Sequence, residues 1–172
     1  MIKKILFVLN CILTYATLYG QTDNSNLRPA FELKLLVNNK QFYSSPLSES
    51  RYIINDSIIQ IFPGEKLLIE TDSINNKLVK LKKVNAVSDP KRTLIVEFSQ
   101  VSEKKSHMYM QLIITNPYGK SLHYKALMNL MKSNRWVGTS VVPIMPGLQS
   151  IEMWPDIITS LALSGFEFKD EN

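Results

Sequence analysis

The side chains of this sequence best able to do chemistry are two histidines, a few carboxylates beside apolar runs, a cluster of basic residues and two tryptophans. His107 and His123 fall on the polar side of alternating apolar stretches, which places both on solvent faces of strands. If those strands form one hairpin, the imidazoles stand roughly 20 Å apart at the strand rise. No His-x-His pair, acidic ligand run or Asp-rich calcium loop accompanies them, so no metal site is expected. Serine hydrolysis needs a nucleophile on a strained turn beside a histidine. Gly138-Thr139-Ser140 sits inside a strand pattern with no following glycine, and Ser160 to Gly165 reads as a strand ending. A glycine-rich phosphate loop and a dinucleotide fingerprint are both missing, so no cofactor is expected.

Paired carboxylates could hydrolyse a glycoside across a concave sheet face. The available acids are Glu65, Glu70, Asp72 and Glu152, and no spacing couples any two of them. A small carboxylate hydrolase therefore ranks last among the functions considered, and no catalytic residue is assigned.

Binding chemistry is better represented. Between Lys77 and Lys105 there are 8 basic residues against 3 acidic ones. Lys80, Lys82, Lys83 and Arg92 are the candidate contacts for an anionic glycan, a lipid headgroup or an acidic protein. The same lysines, interrupting Leu78, Val79, Leu81 and Val84, would also protect an exposed edge strand from pairing with other chains. Trp136 and Trp154 are candidate platforms for sugar rings, whose apolar faces stack on indole. Their apolar neighbours fit a second role, sealing the rim of a core.

These residues must be positioned by strands. From Ala30 onward, short apolar stretches of period two alternate with turn-forming clusters. Phe31, Leu33 and Leu35 alternate with Glu32 and Lys34; Leu94, Val96 and Phe98 alternate with Ile95, Glu97 and Ser99. Further strands are expected over Tyr52 to Phe62, Lys66 to Thr71, Leu78 to Val87, His107 to Thr115, Ser121 to Leu130, Trp136 to Met145 and Leu161 to Phe168. Asn116-Pro117-Tyr118-Gly119-Lys120 has the chemistry of a three-residue hairpin loop. That loop would set Ile114 opposite Leu122, Leu112 opposite Tyr124, Met110 opposite Ala126 and Met108 opposite Met128. Pro155 to Thr159 is the one place where a helical turn is expected. About eight to ten short strands in one domain predict an all-β chain, a single β-sandwich of immunoglobulin-like type, with a closed antiparallel β-barrel as the alternative.

The first twenty residues give an address. Lys3 and Lys4, the apolar stretches Ile5 to Leu9 and Ile12 to Tyr19, and Gly20 before a polar segment have the order of a secretory signal peptide. Asn10, Thr14 and Thr17 interrupt the run, which is short of the roughly 20 apolar residues of a membrane span. The expected organisation is a signal peptide over 1–20 cleaved near Gly20, a disordered segment over 21–29, and one domain over 30–172. Cys11, the only cysteine, would leave with the leader. Removing Lys3 and Lys4 lowers the basic residues from 20 to 18 against 15 acidic ones, a mature charge of +3. So mild an excess does not fit a nucleic-acid binder.

The sequence thus points to an extracytoplasmic protein, periplasmic or secreted, with no transmembrane span after cleavage. It is expected to be a non-enzymatic module that binds a protein or glycan of the cell envelope, with a carbohydrate-binding module as the alternative.

Overall fold

The structure is a computed structural model that describes residues 24–169. The expected leader over 1–20, with Cys11 and the cleavage site, lies outside the described residues. Turn chemistry cuts the chain into short antiparallel strands. After a 3-10 turn at Asn24–Asn26 come β1 (Leu27–Arg28), β2 (Phe31–Asn38), β3 (Gln41–Leu47), β4 (Ser50–Arg51), β5 (Ile53–Ile54), β6 (Ile58–Ile61) and β7 (Glu65–Ile74). They are followed by β8 (Lys77–Val84), β9 (Thr93–Glu103), β10 (Ser106–Thr115), β11 (Leu122–Leu130), β12 (Arg135–Thr139), β13 (Gln149–Trp154) and β14 (Ile158–Phe168).

The strands form a two-layer sandwich. One layer runs β12-β11-β14-β6-β5 and the other β8-β7-β9-β10-β13, and the pair Glu167↔Lys77 joins them at one corner. Alternation drives the packing. Leu67 and Ile69, Leu94, Val96 and Phe98, and Met110, Leu112 and Ile114 turn inward from one layer; Ile59, Ile61, Leu161 and Leu163 meet them from the other. β12 and β13 do not pair, so the layers do not close into a barrel. At that side Trp154 Nε1 donates to Thr139 Oγ1 at 3.1 Å and the Val142 amide donates to Glu152 Oε1 at 2.8 Å, side-chain contacts in place of a ladder.

The hairpin expected at Asn116 to Lys120 does not form. β10 lies between β9 and β13, with Ile114 opposite Val96 and Ser150. β11 lies between β12 and β14, with Ala126 opposite Thr139 and Leu163. The turn residues instead carry the chain from one layer to the other. Asn116, fully buried, pins the crossing: its side-chain amide donates to the carbonyls of Lys120 and Ile144, both at 2.8 Å, and its Oδ1 accepts from the Tyr118 amide at 3.0 Å. Other expectations are trimmed. The Tyr52 to Phe62 strand is broken into β5 and β6 by Asn55 and Asp56, both at positive φ. Trp136 to Met145 is strand only as far as Thr139, and Pro155 to Asp156 is a bend leading into β14, with no helical turn.

The start of the domain also differs from expectation. Within the segment expected to be disordered over 21–29, Asn24–Asn26 form a 3-10 turn and Leu27–Arg28 pair with Ser50–Arg51. The cause is Arg28, 1% exposed. Its Nε donates to Glu65 Oε1 at 2.6 Å, and its terminal nitrogens reach Glu65 Oε2, Ser50 Oγ and the carbonyls of Arg51 and Gln60 at 2.7 to 3.4 Å. The guanidinium carbon lies 4.2 Å from the centre of the Tyr52 ring and 4.7 Å from that of Phe62, within cation–π range.

Two outcomes are expected. Arg28→Met should destabilise the fold by roughly 3 kcal/mol, because Glu65 is left in a largely buried site without its cation. Adding Glu65→Gln should restore part of that loss, as read from urea unfolding. Burial raises the pKa of the Tyr124 phenol well above its ordinary value, with nearby Glu152 adding to the effect. The neutral form therefore contributes stability that is complete below about pH 10 and is lost as pH rises toward the raised folded value. Tyr124→Phe should flatten that alkaline fall in a pH series of thermal melts.

Candidate functional site

The basic residues singled out in the sequence separate into two groups, and a bulge is the reason. Between Glu70↔Lys82 and Asp72↔Val79 the register of β7 and β8 shifts, so Lys80 and Leu81 stand against Thr71 alone. Lys80 takes a positive φ of 52° there. Leu78 and Leu81, three apart, can then both face the core, and Lys80 is redirected along the surface. Its Nζ comes within 3.7 Å of Asp72 Oδ2.

Arg92 arrives at the same carboxylate from the turn before β9. Its guanidinium binds Asp72 and reaches the Thr71 carbonyl at 3.2 and 3.3 Å, while its own carbonyl accepts the Thr71 amide at 3.1 Å. Tyr118, on the crossing pinned by Asn116, closes the site. Its hydroxyl bonds Thr71 Oγ1 and donates to the Arg92 carbonyl at 3.4 Å, and its ring packs edge-on against Phe168 at 4.9 Å. Burial raises the Tyr118 pKa, against the opposing effect of the Thr71 bond, so the phenol is neutral and able to donate. The result is an open cleft of about 530 Å³ in which Lys80 and Arg92 pair with the Asp72 carboxylate and Lys91 adds a third cation to the lining.

Lys82 and Lys83 do not line this cleft. Lys82 sits opposite Glu70 in the ladder, while Lys83 Nζ donates to Asn85 Oδ1 at 2.5 Å and lies 5.2 Å from the Tyr52 ring centre. The patch visible in the sequence is therefore half cleft and half strand surface. Lys91 and Tyr118 complete the cleft; Tyr118 was legible only as a turn residue, because its role depends on the crossing.

The tryptophans also divide. Trp154 is partly buried, packs against the main core and has its indole N–H taken by Thr139. Trp136 is 45% exposed and overlooks a second recess, a groove of about 490 Å³. One wall is the β2–β3 hairpin, whose Leu33 and Leu35 form a small core with Phe62, flanked by Tyr43, Leu47 and Ile157. The other comprises Gln60 and Phe62 at the end of β6, Asn129 and Trp136 across β11 and β12, and Thr159 and Ser160 on β14.

The remaining candidates are committed to separate partners. Glu65 binds Arg28, Glu70 accepts from Ser88, Asp72 holds Arg92 and Lys80, and Glu152 accepts the Val142 amide. The histidines stand in different layers. His107 Nδ1 faces the Gln100 amide nitrogen at 3.0 Å and Nε2 the Pro155 carbonyl at 3.0 Å; His123 is opposite Glu167. Among the described residues no cluster of three metal-ligating side chains occurs.

Fold and recesses together define an all-β, two-layer sandwich protein that bears, among the described residues, a cationic cleft and an uncharged groove. No protein-family model matches the chain, and no match was found among the curated proteins or the solved structures.

The cleft's polar links can be weighed directly. Tyr118→Phe and Thr71→Val should each cost about 1 kcal/mol, and the double variant clearly less than their sum, because both remove the same bond. A double-mutant cycle by chemical denaturation reads this coupling.

Proposed function

We propose that this chain is exported and then works as a non-enzymatic binding module for an anionic component of the cell envelope, gripped at the Asp72 cleft. One observation carries the proposal: Lys80 and Arg92 converge on the Asp72 carboxylate and Lys91 lines the same recess, an excess of two positive charges in one cleft. The ion pairs that occupy Asp72 are exposed, with Lys80 and Arg92 side chains 75% and 53% accessible. Surface pairs of this kind contribute on the order of 0–1 kcal/mol, so an incoming phosphate, sulfate or carboxylate can take over the cations at little cost. The Tyr118 hydroxyl and Ser73 supply neutral polar groups beside them.

Export rests on the charge, apolar run and small-residue exit of the first twenty residues. The chain recovered from the producing cell should begin at Gln21, which intact-mass measurement of the natural product reads directly; a mass retaining the leader would remove the export half of the proposal.

For the cleft, heparin serves as a soluble polyanion and phosphatidylglycerol vesicles as an anionic surface. Lys80→Gln with Arg92→Gln should weaken binding to the relevant probe by about tenfold and flatten its dependence on salt. Lys82→Gln with Lys83→Gln should leave most of the affinity in place. Equal losses from the two pairs would make the interaction a diffuse charge effect and overturn the cleft as its site. Absence of binding to either probe at low salt would overturn the anionic ligand itself.

A further inference from the structure

We propose a second binding site, independent of the first: the groove beneath Trp136 takes a neutral oligosaccharide. Its floor is a cross-strand row. Trp136 on β12 is opposite Asn129 on β11, and Asn129 is opposite Ser160 on β14. Directly opposed residues project from the same face, about 4.5–5.5 Å apart. The neighbouring row, Met128 opposite Leu161, faces the core, so indole, carboxamide and hydroxyl share the opposite face, with Ser160 buried at the floor of the groove. The hairpin wall adds a second aromatic ring, Tyr43, and the hydroxyl of Ser45.

Three features select the ligand. First, no Asp, Glu, Lys or Arg lines the groove. A charged ligand would lose hydration there without finding a counter-ion, whereas the Asp72 cleft offers three cations. Second, the polar groups are carboxamides and hydroxyls, which both donate and accept, as sugar hydroxyls do. Asn129 Oδ1 accepts Thr159 Oγ1 at 2.9 Å, which fixes the amide and leaves Nδ2 as a donor. The Nδ2 of Asn129 and the side-chain amides of Gln60 and Asn134 make no hydrogen bond among the described residues. Third, Trp136 keeps 45% of its surface exposed although the core is nearby, and a flat apolar surface beside amide donors complements a pyranose, apolar on its faces and polar at its rim. A groove of about 490 Å³ falls in the size range of small-ligand sites.

The test uses the two tryptophans as internal controls. In the mature protein carrying Trp154→Phe, Trp136 is the sole emitter. Titration with chitotriose, cellotetraose and maltotetraose should give a saturable blue shift or quench with at least one of them. In this background Gln60→Ala with Asn129→Ala should weaken that response about tenfold with the far-ultraviolet circular dichroism unchanged. In the complementary Trp136→Ala protein, where Trp154 reports, the response should vanish. Lys80→Gln with Arg92→Gln should leave it intact, which separates this site from the anionic one. No spectral change with any of the three sugars at millimolar concentration, or a response that survives Trp136→Ala, would overturn the proposal. A sugar response abolished by the Lys80 and Arg92 substitutions would assign the signal to the cleft and likewise overturn it.

Discussion

The arrangement of the chain's first strands depends on one buried cation. Arg28 has five N–H donors, and each has an acceptor: two on the Glu65 carboxylate, one on Ser50 and two on the backbone carbonyls of Arg51 and Gln60. Taking a guanidinium out of water costs several kcal/mol, and only complete pairing of this kind offsets it. The acceptors come from β4, β6 and β7, so the cation is satisfied only when all three stand in register around β1. Glu65 Oε2 also accepts the Phe62 amide at 2.8 Å, which fixes the residue that supports the second core. Through Phe62 the β2–β3 hairpin acquires a surface to pack on, and through the hairpin the groove acquires its wall. The groove's shape thus traces back to an ion pair that lines neither recess.

A second buried polar group does comparable work for the cleft. Asn116 ties the Lys120, Ile144 and Met145 carbonyls and the Tyr118 amide together, so the crossing between layers has one conformation. Tyr118 is delivered from that crossing to Thr71, six residues along β7 from Glu65 and so roughly 20 Å away at the strand rise. Each recess therefore depends on a connection between layers, and each connection is held by a polar residue with its bonds satisfied. Apolar packing alone would be less selective, because many registers bury similar areas.

The same degeneracy explains what could be read in the sequence. Alternation identified β2, β9, most of β7 and β10, and the all-β class, because a half-buried strand must alternate whatever its neighbours are. It could not identify those neighbours. Ile114, Leu112 and Met110 face the core beside Val96, Phe98 and Gln100 as readily as they would beside Leu122, Tyr124 and Ala126, so an all-apolar register fitted a hairpin that does not exist. β3 and β13 escaped notice because Ser44, Ser45 and Pro46 in one and Glu152 in the other dilute the apolar pattern at the edges of the structure. Arg28 was hidden for a different reason: a lone arginine in a polar stretch looks solvated until its carboxylate, 37 residues away, is brought beside it. At the candidate sites, residue type was enough to select Lys80, Arg92 and Trp136. Lys91, Tyr118, Gln60 and Asn129 needed the fold, since nothing local distinguishes them from surface polar residues.

The two proposed sites would divide ligand chemistry in a way that follows from their construction. In the cleft, the cations are neutralised in part by Asp72 through exposed contacts that rearrange easily, so its attraction is long-ranged and weakens as salt screens it. In the groove, the polar groups are uncharged and at least one is held by a neighbour, Asn129 by Thr159, so the recognition proposed there would be short-ranged and indifferent to salt. An anion entering the groove gains no counter-ion, and a neutral sugar entering the cleft must compete with ion pairs for its hydrogen bonds. On the two proposals, one chain would present both recesses to ligands of different charge, each rejecting the other's chemistry.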